Sequence, residues 1–340
     1  MAEPTKQTVA LIGLGTIGLS FAAMHLKHTD ANVRLFDIRE DLEHHITSLL
    51  PIYLSSQGAT GKNASVRDLI SSGRITLSSS IEDACSSATI VQEQGPENIA
   101  FKKATWTLVT RCTSPTTHLW TSTSGILASK QVEDLEDKSR LVVVHPFNPP
   151  HLTPLIEIVP SPYTHPRETQ FALDYINRLD AGYRPVVIKK EITGFVGNRL
   201  AFALFREACH LVANDVVTVE DLDAVMEASH GPRWAVAGPF KLWNFGGGAG
   251  GLGAFIQNLG GTMQACWDDA GMVSLRGTPG FPQGAMPTDV NGLSGEDWAS
   301  KVVRQTKEAY GLPTPESVAE RDADLKKVFE AQPRKQQTKG

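Results

Sequence analysis

Two ionisable side chains stand in or at the end of apolar runs. Leu141-Val142-Val143-Val144-His145 reads as a buried strand closed by a histidine, and Glu157 lies inside Leu155-Ile156-Glu157-Ile158-Val159. In open α/β sheets ligands bind beyond the carboxyl ends of the strands, where His145 would sit. An imidazole there can take a hydroxyl proton as hydride leaves a substrate, and can return it in the reverse reaction. A carboxylate between apolar neighbours needs a partner, because an unpaired buried charge is costly. Orienting the imidazole and stabilising the imidazolium would provide that partner. On residue types alone, a core histidine and an ordinary salt bridge explain the pair equally well.

A second constellation opens the chain. Gly13-Leu14-Gly15-Thr16-Ile17-Gly18 follows a strand-like run and begins a helix-like one, and Asp37 ends the next strand 19 positions after Gly18. This is the full context that a dinucleotide fingerprint demands. Gly13 permits a tight turn, Gly15 lets a pyrophosphate approach the backbone, and Gly18 lets the helix lie close to the sheet. The helix start, with Thr16 and Ile17, offers free N–H donors and a positive dipole end. Asp37 suits ribose hydroxyls and should repel a 2′-phosphate, which favours NAD. Arg39 nearby keeps NADP open.

Such residues must be positioned by alternating strands and helices, and the first half has that rhythm. Strands are expected at Thr8–Ile12, Asn32–Asp37, Ile75–Leu77, Thr89–Gln92, Leu119–Thr123, Leu141–His145, Leu155–Val159 and Val186–Lys189, with helices at Thr16–His28 and Arg39–Leu50. The pattern predicts a parallel, doubly wound sheet covered by helices on both faces. Residues 51–74 read as a helical excursion with turns. After Lys190 the texture becomes helical: Phe195–Asn214 carries apolar residues at helical spacing, and Thr218 is placed to cap a further helix. The glycine-rich run Phe245–Gly253 reads as a flexible loop, and Leu275–Leu293 as an extra excursion. The expected division is a dinucleotide-binding domain over 1–190 and a helical substrate and dimerisation domain over 191–335.

Composition narrows the function classes. The 340 residues carry a net charge of -5 and are 41% hydrophobic, typical of a globular protein. No basic patch suggests nucleic acid, and no apolar stretch reaches the ~20 residues a membrane helix requires. Four scattered cysteines form no metal or disulfide pattern. Without a targeting segment, the cytoplasm is the expected compartment.

With these motifs in order, the chain resembles the 3-hydroxyacyl-CoA dehydrogenase superfamily, and within it the lambda-crystallin / L-gulonate 3-dehydrogenase branch. The fingerprint Gly13 to Gly18 and Asp37 match, as do Glu97, Asn98 and Lys102 of an E-N-x-x-x-K cofactor motif. Ser124 in TSTSG, His145 and Asn148 of H-x-x-N, Glu157 twelve residues after His145, and Asn198 in G-F-x-x-N-R match as well. The resemblance implies that His145 and Glu157 are catalytic. It implies that Ser124 hydrogen-bonds the substrate oxygen and that Asn198 helps polarise a carbonyl. It also implies cofactor contacts from Glu97, Lys102 and Asn148, an all-α C-terminal domain, and a homodimer.

The substrate expectation departs from acyl-CoA. The segment His44–Leu77, which would carry the CoA-binding insertion, offers only Lys62, Arg67 and Arg74 as fixed cations, a poor grip for several phosphates. Gly231 to Pro239 resembles a segment of the small-substrate branch. There Arg233 could meet a carboxylate and Trp234 could wall the pocket or face a cation. A small free 3-hydroxy acid, L-gulonate-like or carnitine-like, is therefore expected. Imine reduction on the same fold, a 3-hydroxyacyl-CoA substrate, and a non-enzymatic crystallin-like role are the alternatives.

Overall fold

The computed structural model describes residues 6–56, 65–179, 182–271, 273–274 and 298–332. The chain divides between Arg199 and Leu200 into two compact units. The first contains one eight-stranded sheet in the order β3-β2-β1-β4-β5-β6-β7-β8. Its strands are β1 (Thr8–Ile12), β2 (Asn32–Phe36), β3 (Ile75–Leu77), β4 (Ile90–Glu93), β5 (His118–Thr121), β6 (Leu141–Pro146), β7 (Leu155–Pro160) and β8 (Arg184–Val187). The first six follow the 3-2-1-4-5-6 order of dinucleotide-binding sheets and are parallel. β7 departs from the expected all-parallel sheet and pairs antiparallel to β6. The Phe147–Pro154 connection is too short for a parallel crossover, which needs a dozen or so residues.

The helices of this unit are α1 (Thr16–His28), α2 (Leu42–Ser56), α3 (Val66–Ser71), α4 (Ile81–Cys85), α5 (Ile99–Cys112), α6 (Ala128–Gln131) and α7 (Pro166–Arg178). Side chains alternate across each strand, so β1 serves two cores. Val9 and Leu11 join Leu19, Met24, Leu35 and Tyr175 in one. Ala10 and Ile12 join Val91, Trp106, Val109 and Phe195 in the other. The excursion expected over 51–74 is the end of α2, which runs through Pro51, followed by α3 under a Ser65–Asp68 capping box.

α8 (Gly197–Ala213) crosses from the first unit into the second. It starts two residues later than its apolar pattern suggests, because Gly194 and Phe195 adopt left-handed φ values of 75° and 50°. The second unit continues with α9 (Val219–Val225), α10 (Gly231–Val236), α11 (Pro239–Gly246), α12 (Gly251–Asp269), α13 (Trp298–Tyr310) and α14 (Pro315–Ala331). Thr218 caps α9 as its sequence suggests, accepting from the Asp221 amide. The glycine-rich run is not a flexible loop. It is the end of α11, a single tight turn at Gly248–Gly250, and the start of α12. Small residues are required there, since a Cβ on Gly247 would lie 1.7 Å from the Gly251 carbonyl oxygen. Leu275–Leu293 falls outside the described residues. All four cysteines are free thiols. Among the described residues, no helix is long and apolar enough to cross a membrane.

Candidate active site

The carboxyl ends of β1, β2, β4, β5 and β6 present the functional side chains of the first unit. At β1 the chain turns through Gly13, whose φ is +91°. Its amide donates to the Phe36 carbonyl at 2.9 Å. Gly18 packs so closely that a Cβ there would lie 2.1 Å from the Gly13 oxygen. At Gly15 a Cβ would meet nothing within 4 Å. Gly15 is also the N-cap of α1 and supplies no side-chain cap. The first-turn amides of Thr16, Ile17 and Gly18 therefore start a helix whose electropositive end is open. Asp37 stands beside this turn. Its Oδ2 accepts from the Leu14 amide at 2.7 Å, its Oδ1 from the Arg39 amide at 3.2 Å. The Arg39 guanidinium lies 3.6 Å away. An open helix start with an acid at the neighbouring strand end fits a dinucleotide.

At β6 the antiparallel register sets His145 directly opposite Glu157. His145 Nδ1 lies 2.9 Å from Glu157 Oε2. Both side chains are buried, at 5% and 2% exposure, and the His145 ring packs on Phe147 and Phe195. The other carboxylate oxygen accepts from the Val196 and Gly197 amides, each at 3.0 Å. The left-handed turn at Gly194 and Phe195 delivers those two amides. A Cβ on Gly197 would fall 2.1 Å from the Phe147 ring, so any side chain there would displace that ring. Burial opposes the charged form of Glu157. The His145 hydrogen bond and the two amides overcome it and hold the carboxyl below its usual range. An ionised Glu157 fixes the ring with its proton on Nδ1, so Nε2 is the nitrogen left to exchange protons.

Glu97 organises the loop after β5. Its Oε1 accepts from the Thr123 hydroxyl and from the amides of Ser124, Gly125 and Ile126. Asn198 is brought to Ser124, with Nδ2 donating to the Ser124 carbonyl at 2.9 Å. Ser124 is exposed and Asn198 half-buried. Lys102 is fully buried. Its ammonium donates to both oxygens of Glu93, at 2.9 and 3.0 Å, and lies 3.9 Å from Glu97. Asn98 caps α5 by accepting from the Phe101 amide.

The first unit thus gathers the glycine turn, Asp37, Glu97, Lys102, Ser124, His145, Glu157 and Asn198 along its strand ends. Asn148 is exposed just beyond β6. Arg233 and Trp234 lie on α10 in the second unit, both exposed, with Trp234 stacked on His230 at 5.0 Å between ring centroids. Sequence reasoning missed Glu93, whose signal is weaker than that of Glu157: it ends the short run Ile90-Val91-Gln92-Glu93, in which only Ile90 and Val91 are apolar. Burial pushes the Glu93 carboxyl up, against the pull of Lys102. Val196 and Gly197 act through backbone amides and leave no such signal.

Residues 8–192 match the 3-hydroxyacyl-CoA dehydrogenase NAD binding domain, and residues 194–269 match the C-terminal domain of the same family. A 3-hydroxyacyl-CoA dehydrogenase of Gibberella moniliformis is 32% identical over 269 residues, covering 77% of this chain and 80% of that one. An L-carnitine dehydrogenase of Streptomyces griseus subsp. griseus is 33% identical over 266 residues, covering 78% and 77%. Among solved structures, a 5-formyl-3-hydroxy-2-methylpyridine 4-carboxylic acid 5-dehydrogenase, described as an NAD+ dependent dismutase, superposes with a TM-score of 0.74. It is 27% identical, and the match covers 96% of this chain and 98% of that one.

Proposed function

Because the chain belongs to the 3-hydroxyacyl-CoA dehydrogenase family, we propose that it is an NAD-dependent oxidoreductase of a small free 3-hydroxy acid, carnitine-like or L-gulonate-like. His145 is its general acid/base. The observation that carries this reading is the buried His145–Glu157 pair, 2.9 Å apart at the carboxyl end of β6. The nicotinamide cofactor, when bound, supplies the hydride acceptor or donor. The protein's residues do the rest. His145 Nε2 takes the hydroxyl proton in oxidation and returns it in reduction, and ionised Glu157 stabilises the imidazolium that forms between. Ser124 offers a hydroxyl to the substrate oxygen. Asn198, tied to the Ser124 carbonyl, assists at the same oxygen.

The open start of α1 would hold the pyrophosphate and Asp37 the adenosine ribose, with Glu97, Lys102 and Asn148 shaping the nicotinamide side. Asp37 favours NAD over NADP. The Arg39 guanidinium 3.6 Å from it is the counterweight. Arg233 and Trp234 are proposed to recognise the carboxylate or cationic end of the substrate. Homodimerisation through the helical domain is supported by its exposed apolar side chains, among them Leu200, Phe202, Phe205, Trp243 and Trp267.

The preference for a free substrate rests on the missing phosphate grip. Arg74, one of three cations in the insertion, spends its guanidinium on the Leu26 and Thr29 carbonyls. The test is kcat/KM for carnitine, L-gulonate, 3-hydroxybutyrate, a cyclic imine and acetoacetyl-CoA, each with NAD(H) and NADP(H). A free 3-hydroxy acid with NAD(H) is expected to lead by at least tenfold. A lead for acetoacetyl-CoA would return the chain to the acyl-CoA enzymes, and a lead for the imine would change the reaction.

A further inference from the structure

The glycine turn is held by more than glycines. Leu14 lies between Gly13 and Gly15, and both faces of its peptide environment are tied to side chains. Its amide donates to Asp37 Oδ2 at 2.7 Å. Its carbonyl is 2.8 Å from Nε2 of His45, a half-buried residue in the first turns of α2. A carbonyl oxygen only accepts, so the His45 proton is on Nε2.

In a trans peptide the C=O and the following N–H point in opposite directions. The Gly13–Leu14 peptide shows the consequence: with the Leu14 N–H turned to Asp37, the Gly13 oxygen faces α1, so near Gly18 that a Cβ there would lie 2.1 Å away. The next peptide obeys the same geometry. With the Leu14 oxygen turned to His45, the Gly15 N–H points away from α2, at the uncapped start of α1. Among the described residues no other hydrogen bond fixes this peptide, and glycine at position 15 makes rotation of that peptide cheap. A flipped Leu14–Gly15 peptide would present a carbonyl oxygen where an anion must approach.

We propose that His45 is a positioning residue that holds the Leu14–Gly15 peptide so that the Gly15 amide faces the cofactor pyrophosphate. This rests on the dinucleotide reading above. His45 does not touch the reacting atoms. It acts through one hydrogen bond to the phosphate-binding turn, worth about tenfold in affinity if the bond contributes its usual share.

The experiment titrates NADH, ADP and adenosine into the wild-type chain and into His45→Leu, His45→Gln and His45→Asn, with steady-state kinetics alongside. His45→Leu is expected to weaken NADH and ADP by about tenfold and to leave adenosine, which lacks pyrophosphate, unchanged. The kinetic loss should fall on KM for the cofactor far more than on kcat. Gln, long enough for its carboxamide N–H to reach the Leu14 carbonyl, should recover most of the affinity. Asn is too short and should behave as Leu does, which keeps the test available if the Leu chain does not fold. Wild-type affinity in the Leu and Asn chains, or an equal loss for adenosine, would overturn the proposal. Failure of the wild-type chain to bind NADH would overturn the dinucleotide reading, and the proposal with it.

Discussion

Among the described residues the first unit contains two histidine–glutamate pairs with the histidine on the sheet, and they stand at opposite ends of it. His145 and Glu157 meet through Nδ1 and Oε2 at 2.9 Å; His118 and Glu168 meet through the same atoms at 2.5 Å. By distance alone the second pair is the tighter. The difference is place and second partners. His145 lies near the carboxyl end of β6, beside the loops that carry Ser124 and Asn198. His118 is the first residue of β5, at the opposite end of the sheet. Glu157 gives its other oxygen to two backbone amides, whereas Glu168 gives it to the Arg167 guanidinium at 2.8 Å. The His118 ring lies flat on Phe171, 3.4 Å between centroids. A His–Glu pair is therefore not a site in itself. Under the proposed function, position on the sheet makes one pair the acid/base and leaves the other a clasp between β5 and α7.

The sharpest way to break this comparison is to remove each ring. His145→Ala is expected to lower kcat by about 100- to 10,000-fold, the usual contribution of a general acid/base, with NADH affinity little changed. His118→Ala is expected to keep kcat within about twofold and to lower the melting temperature instead. Steady-state rates and thermal melts on both chains decide it. Near-normal turnover in His145→Ala would make His145 a clasp like His118.

A narrower cut leaves both rings and alters their partners. In Glu157→Gln the Val196 and Gly197 amides, both donors, hold the carboxamide oxygen on their side. Its NH2 group then faces His145 Nδ1, which must accept. The imidazole proton is forced onto Nε2, the nitrogen that has to take the substrate proton. We expect kcat for alcohol oxidation to fall by about 100-fold, the loss of acid/base catalysis, in a chain that still binds cofactor. Glu168→Gln, which meets an arginine rather than two amides, should cost stability alone. Equal kinetics in the two variants would show that Glu157 is no more than a clasp.

Much of this contrast was legible before the structure, for reasons that particular residues show. β1, α1 and β3 lie where apolar runs, the glycine fingerprint and polar punctuation put them, because both signals are local. His145 and Glu157 were visible because charge in an apolar run is rare. Lys102 shows the opposite: the motif resemblance alone pointed to it, and only the fold reveals that its ammonium is buried against Glu93 on β4. The α8 start was misread because a left-handed Phe195 is a tertiary demand that no propensity predicts. The glycine-rich turn misled for a related reason. Glycines there admit close backbone contact between α11 and α12, while composition suggested looseness.

A third histidine adds a contrast, since its partners carry no charge. His25, on α1, is fully buried, with Nδ1 2.8 Å from the Tyr175 hydroxyl and Nε2 3.1 Å from Gln92 Oε1. Burial lowers its pKa from 6.5 to about 4, against the opposing pull of the Gln92 hydrogen bond. Between those values the unfolded chain holds the proton and the native chain does not, so acidification favours unfolding. Stability from this group is complete above pH 6.5 and is lost as pH falls toward 4. From pH 7 to pH 5 the loss is about 2 kcal/mol. Glu157 and Glu168, both held below the usual carboxylate range, contribute stability that is lost only as pH falls below about 4.5, so the two windows separate. Denaturant unfolding of the wild-type chain and of His25→Gln at pH 7 and pH 5 reads the difference. The variant is expected to be less stable at pH 7, through lost packing, yet to lose about 2 kcal/mol less on acidification. Parallel pH dependence in the two chains would mean that His25 is protonated in the fold, and that a neutral partner and a carboxylate do the same for a buried imidazole.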